Sequence, residues 1–246
     1  MAGLRLRLLG QFACESSGSS VDLPFGIQRL VAFLALRGPS HRCMVAGSLW
    51  PEVPDAQALA SLRTGVWRMN RLAHGLLEAQ GTGLRMSAHT WVDSKAQEDF
   101  AKRVVDTRLI DGREYEKDLE TLYPPELLPG WYDDWVIFER QRLSQLRLHA
   151  LEIIARRLTQ RDELDVALRL ALEAVRTEPL RETANAVLMS VYLAEGNVSD
   201  AIRQYAVFRD LLQRELGLEP SARLTRLLPA QARTTLRASV DVLTPR

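Results

Sequence analysis

Residues 55–86, DAQALASLRTGVWRMNRLAHGLLEAQGTGLRM, decide the fold. The first half has the period of a helix. Leu59, Leu62, Val66, Met69 and Ala73 recur at spacings of three and four and make one apolar stripe. Asp55 suits the N-cap, and Gly75 closes the run after His74. The period then changes. Residues 77–80 and 84–86 read as two strands, and Gly81-Thr82-Gly83 between them supplies the positive φ of a hairpin turn. A helix followed directly by a hairpin is the second half of a winged helix-turn-helix.

The residues upstream supply the first half. Leu4, Leu6 and Leu8 alternate with Arg5 and Arg7, which predicts a strand over 4–14, a turn over 16–20 and a short returning strand over 21–23. Ile27, Leu30, Val31 and Leu34 then fall on one helical face between Gly26 and Arg37, and Gly38-Pro39 ends that helix. A short helix over 44–50 is stopped by Pro51 and Pro54, which force a tight turn before Asp55. Trp91-Val92-Asp93 adds a last short strand. Residues 1–94 therefore read as one winged-helix domain.

From Lys95 onward the pattern is helical, with breaks at Asp111-Gly112, Tyr123-Pro124-Pro125, Pro129-Gly130, Pro179, Glu195-Gly196-Asn197 and Pro220. A shift of 34 residues superposes Ile154 on Leu188, Leu158 on Tyr192, Ala167 on Ala201, Ala171 on Tyr205 and Ala174 on Phe208. The turn at Arg161-Asp162 lands on Glu195-Gly196. This is the period of a tetratricopeptide (TPR) helical hairpin, and stacked hairpins make a binding surface. The expected fold is mainly α with a small β part: a winged helix-turn-helix followed by an all-α TPR-like repeat domain over 95–228. Residues 229–246, rich in Thr, Ala and Arg, read as a flexible tail.

The helix over 56–74 carries the chemistry. Opposite its apolar stripe stand Ser61, Thr64, Gly65, Arg68 and Arg71, with Arg63 and Trp67 at the flanks. Arginine offers two parallel donors to guanine O6 and N7, and Ser and Thr bond a base edge or a phosphate. Gly65 removes bulk where backbone meets DNA. Thr82 at the hairpin tip and Arg85 on its second strand suit contact with the sugar-phosphate backbone or the minor groove. Ser40, His41 and Arg42 precede the short helix, where free N–H groups and the Arg42 guanidinium suit a phosphate. These residues point to double-stranded DNA. An interaction scaffold whose winged helix no longer reads DNA stays open beside that reading, because the hairpin tip has no charge and the whole chain carries only +1.

Composition adds little. Residues 1–93 hold nine Lys and Arg against six Asp and Glu, so the positive charge leans towards the DNA-reading half. The two cysteines, Cys14 and Cys43, stand in unrelated contexts and predict no metal site. His41, His74, His89 and His149 lie in separate segments, and no nucleophile sits beside a base; an enzyme is not expected, nor a cofactor. Tyr132-Asp133-Asp134, between Trp131 and Trp135, reads as a helix cap with a hydrophobic plug. No signal peptide or apolar run of about 18 residues is present, so a cytoplasmic protein without membrane contact is expected.

These segments together resemble the antibiotic-regulatory-protein (SARP) class of bacterial activators, which pair an OmpR-like winged helix with a bacterial transcriptional activation domain (BTAD). Residues 27–36, IQRLVAFLAL, are similar to the family's first helix. Residues 138–143, FERQRL, with His149-Ala150-Leu151-Glu152, look like the start of the activation domain. The most specific likeness lies in Leu188, Met189, Tyr192, Gly196, Ala201, Tyr205, Arg209 and Leu216-Gly217-Leu218-Glu219-Pro220. Trp67 and Gly65 are unusual for the family's reading helix, and Leu84 stands where an aromatic is common. The resemblance implies a dimer or side-by-side pair on promoter direct repeats. It also implies recruitment of RNA polymerase through the sigma factor and other subunits. The reading positions it implies are Ser61, Arg63, Thr64, Arg68 and Arg71. The ATPase module of longer members would need a phosphate-binding G-x-x-x-x-G-K-[ST] loop, which these residues do not contain.

Overall fold

Alternation at the N-terminus gives β1 (Leu4–Arg7), with Leu6 buried and Arg5 and Arg7 exposed. The computed structural model describes residues 4–106, 123–230 and 232. The strand expected over 4–14 is in fact two. The chain turns at Gly10 (φ +85°) and returns antiparallel as β2 (Ala13–Ser16), with Leu6 opposite Cys14. A second hairpin at Ser17-Gly18 leads to β3 (Ser19–Ser20). Residues 21–23 are extended chain, held by the Val21 amide donating to the Cys14 carbonyl at 2.8 Å.

α1 (Phe25–Arg37) buries Ile27, Leu30, Val31 and Leu34 as its period requires, and ends at Gly38, whose φ of +75° suits glycine. β4 (Ser40–His41) leads directly into α2 (Arg42–Leu49), two residues earlier than the apolar pattern suggests. α3 (Asp55–Leu72) has Pro54, not Asp55, at its N-cap; Asp55 lies in the first turn, where its charge suits the helix dipole. β5 (Leu77–Gln80) and β6 (Gly83–Met86) form the expected hairpin, and β4 joins it in the order β4-β6-β5. β7 (Trp91–Val92) pairs parallel with β1, completing a sheet of order β3-β2-β1-β7. α4 (Asp93–Asp106) starts where the Asp93 carboxylate accepts the Leu8 amide at 2.8 Å and the Leu9 amide at 3.0 Å. Burial raises the pKa of that carboxyl, against the pull of those amides.

The chain divides into two compact units. The first runs past the boundary at 94 expected from the sequence: it holds described residues 4–102 and also 123–146. Leu127, Leu128, Trp135, Val136 and Leu143 belong to the core built on α1 and α3. Trp135 meets Phe33 edge-on at 5.3 Å, and Trp131 packs on Phe12 and Phe25. Asp133 stands at the start of α5 (Asp134–Gln160): its carbonyl accepts the Val136 amide at 2.8 Å. Its side chain pairs with Arg29 instead of capping the helix. The Glu139 carboxylate, 3% exposed, accepts from Arg37 at 3.0 Å and Arg142 at 2.6 Å. Arg142 also forks onto Glu98 with two bonds of 2.9 Å. The buried Glu139 carboxylate needs its partners, so these pairs help to fix where residues 134–146 sit within the unit.

The second unit holds described residues 103–106, 147–230 and 232. Its helices are the rest of α5, then α6 (Leu164–Thr177), α7 (Glu182–Ala194), α8 (Val198–Leu216) and α9 (Ala222–Thr225). The 34-residue repeat extends to the hydrogen bonds. The Glu163 amide donates to the Leu158 carbonyl at 3.0 Å, and 34 residues on Asn197 donates to Tyr192 at 2.8 Å. Asp162 donates to Thr159 and Gly196 to Leu193 in the same way. Asp162 (φ +65°) and Gly196 (φ +79°) occupy the same left-handed position. Ala167 and Ala201 are fully buried, and small side chains there let the paired helices approach closely. The second hairpin is lengthened: α8 has 19 residues against 14 in α6 and ends at Gly217 in the left-handed conformation. The break expected at Asp111-Gly112 lies outside the described residues, as does the tail expected over 229–246 beyond residues 229, 230 and 232.

Candidate nucleic-acid interface

α2, the turn through Pro51 and Pro54, and α3 form the helix-turn-helix, with the β4-β6-β5 sheet beside it. Ala58, Leu62, Met69 and Ala73 form the buried line of α3, while Leu59 and Val66 are only partly buried at its edge. The core line is therefore rotated from the one the larger side chains suggest, and the outward face rotates with it. Trp67, expected at a flank, stands near the centre of the exposed face and is 58% exposed. Arg71, one turn on, places its guanidinium 5.0 Å from the Trp67 ring centre. Thr64 and Ala60 continue that exposed line. The Thr64 hydroxyl donates to the Ala60 carbonyl at 3.1 Å and is thereby turned back onto its own helix.

Arg63 and Arg68 are exposed on either side of this line. Ser61 and Gly65 are half-buried at the edge that faces α1, where a Cβ on Gly65 would meet Leu30 Cδ2 at 3.5 Å. Gly65 thus lies towards α1 with room for a methyl group, whereas the sequence suggested an approach of backbone to DNA. A shallow cleft of about 430 Å³ runs along that edge between Pro24, Trp50, Gln57, Ala60, Thr64 and Arg68. Gln57 and Ala60 were not singled out in the sequence. Taking Ala58 in place of Leu59 as the core residue would have brought both to the outward face.

The wing is tied down more than its sequence suggests. The Arg85 Nε donates to Glu78 Oε2 at 2.8 Å, and the pair holds the Glu78 carboxyl below its usual range. Thr82 accepts the Arg42 amide on its carbonyl at 3.1 Å, and its hydroxyl lies 3.2 Å from His41 Nδ1. Ser40 donates to the Gly38 carbonyl at 3.1 Å, so it does not cap α2. Arg42, half-buried, starts α2 beside the wing tip.

A contrast runs through the arginines of the first unit. Arg7, Arg29, Arg37, Arg85, Arg140 and Arg142 each have a carboxylate partner. Arg42, Arg63, Arg68 and Arg71, all on the helix-turn-helix, have none among the described residues; off that motif, Arg5 stacks on Trp91 instead. Among the described residues, no group of three His, Cys, Asp or Glu side chains is placed to hold a metal, and no helix is long and apolar enough to cross a membrane.

Comparison with known proteins agrees with this architecture. The family model "bacterial transcriptional activator domain" matches residues 120–230. Regulatory protein AfsR of Streptomyces coelicolor is 30% identical over 243 residues, which is 91% of this chain and 24% of that protein. AfsR of Streptomyces griseus is 29% identical over 88% of this chain and 22% of its own length. The chain therefore spans about a quarter of the length of these curated relatives. Among solved structures, Mycobacterium tuberculosis EmbR in complex with a low-affinity phosphopeptide superposes with a TM-score of 0.74. That match covers 99% of this chain and 71% of EmbR at 20% identity, which speaks for the fold. A bacterial transcriptional activator domain over residues 120–230, together with likeness to AfsR over 91% of this chain, makes the chain similar to the SARP class of bacterial transcriptional regulators.

Proposed function

We propose that the chain is a sequence-specific DNA-binding transcriptional activator. It binds promoter direct repeats as a homodimer or side-by-side pair and recruits RNA polymerase through its helical repeat unit. It does so in the cytoplasm and without catalysis. The observation that carries the DNA reading is the set of four arginines on the helix-turn-helix with no carboxylate partner among the described residues. An unpaired exposed guanidinium keeps its full charge and all its donors for an incoming phosphate or guanine, whereas a paired one must first give up a partner. The activating role rests on the family and on the repeat unit as a binding surface.

Sheared genomic DNA mixed with the purified protein should yield promoter fragments that share a short direct repeat. An R68A/R71A variant that keeps its circular dichroism spectrum should lose that enrichment. Unchanged enrichment by the folded variant would remove α3 as the reading helix. The neutral wing tip, with Arg85 held by Glu78, favours the second reading, a scaffold that does not read DNA. That reading predicts binding without steep salt dependence, because no phosphate counterions are released.

A further inference from the structure

The centre of the α3 outward face is apolar. Ala60 offers a methyl, Thr64 has turned its hydroxyl to its own helix, and Trp67 stands exposed between them and Arg71. Side-chain donors stand to either side of this line, at Gln57, Arg63, Arg68 and Asn70, and at Arg71, whose guanidinium is stacked on the indole at 5.0 Å. Exposed indole surface in water costs hydration free energy, and Trp67 remains 58% exposed with Arg71 stacked on its ring. In a major groove one base edge is apolar: the 5-methyl group of thymine.

We propose that Trp67 reads a thymine methyl, and that its ring holds Arg71 in register with an adjacent guanine. Target sites then carry a thymine–guanine step against the middle of α3. This rests on the DNA-binding reading above and assigns what the helix recognises. The stack restricts the Arg71 guanidinium before DNA arrives, so less rotamer freedom is lost when it forks onto guanine O6 and N7. The indole face takes the methyl by dispersion and exclusion of water, and no hydrogen bond is needed.

The test uses the whole chain and duplexes selected from a random library. Sites recovered by the unaltered protein should share a thymine–guanine step. Replacing that thymine by deoxyuridine removes the methyl alone and keeps base pairing. Binding should weaken about fourfold, the worth of one buried methyl. For Trp67→Ala, whose site is exposed enough to leave the fold intact, thymine and deoxyuridine duplexes should bind alike. Trp67→Phe should keep part of the discrimination. Specific binding in which deoxyuridine has no effect, or the same effect on the unaltered protein and Trp67→Ala, would overturn the proposal and leave the DNA reading standing. Recovery of no shared sequence would overturn both.

Discussion

Replacing Gly65 by Ala should stabilise the first unit. Gly65 lies inside α3 and has no positive φ, so an L side chain is tolerated by the backbone. Its new Cβ would meet one atom within 4 Å, Leu30 Cδ2 at 3.5 Å, an ordinary van der Waals contact. Alanine in a helix interior is favoured over glycine by about 0.8–1.0 kcal/mol, mostly because the unfolded chain loses freedom. The half-buried methyl adds a few tenths through apolar burial, for a total of about 1 kcal/mol. All five tryptophans, at 50, 67, 91, 131 and 135, belong to the first unit, so their emission reports its unfolding. In a urea titration the midpoint should rise by about 0.5 M with an unchanged slope. A lowered midpoint would mean that α1 and α3 are too close for a methyl group. An unchanged midpoint with weakened DNA binding would return Gly65 to the DNA-facing side.

Further tests bear on the rest of the molecule. Glu98→Gln should cost about 1–2 kcal/mol near neutral pH, discounted for partial exposure. Arg142 holds the Glu98 carboxyl at about 2, so its contribution is present above the ordinary carboxylate range and is lost as pH falls from about 4.5 towards 2. Wild-type and variant stability should converge over that window, and parallel curves would refute the assignment. Asp162→Gly should stabilise the second unit by about 0.5–1 kcal/mol, and Gly196→Ala should destabilise it by about 1–2 kcal/mol. Amide hydrogen exchange reads both, and effects of the same sign would refute the equivalence of the two turns. Ala201→Leu should cost about 1–3 kcal/mol by overpacking the second hairpin. A far-UV thermal melt at or above the wild-type midpoint would show that α8 has room there.

The helix-turn-helix, the hairpin and the 34-residue repeat were legible because each rests on local period and turn residues. The phase of α3 was less so. Ala58, buried, carries little apolar weight in a pattern, whereas Leu59 and Val66 at the edge carry much. Reading the core line through the larger residues turned the outward face and moved Trp67 to its rim. The pairing of the arginines was not legible at all. Arg142 finds Glu98 across 44 residues, and Arg29 finds Asp133 across 104, so only the fold shows which guanidinium groups remain free. The first compact unit runs past residue 94 for a related reason. A helical pattern tells which face is apolar but not which core it enters, and Trp135, Val136 and Leu143 enter that of the winged helix.

That last arrangement bears on how such a regulator is cut, grafted or inherited. A fragment ending at 94 would leave Phe33 without Trp135, Arg37 without Glu139 and Arg29 without Asp133. A segment that keeps the core of the first unit whole must therefore extend through the first half of α5. Fusion of a foreign effector directly after the wing should yield a protein prone to aggregate, whereas a junction after residue 146 would carry the first unit intact. Any exchange of modules would have to respect a helix whose opening turns belong to one unit and whose closing turns belong to the other.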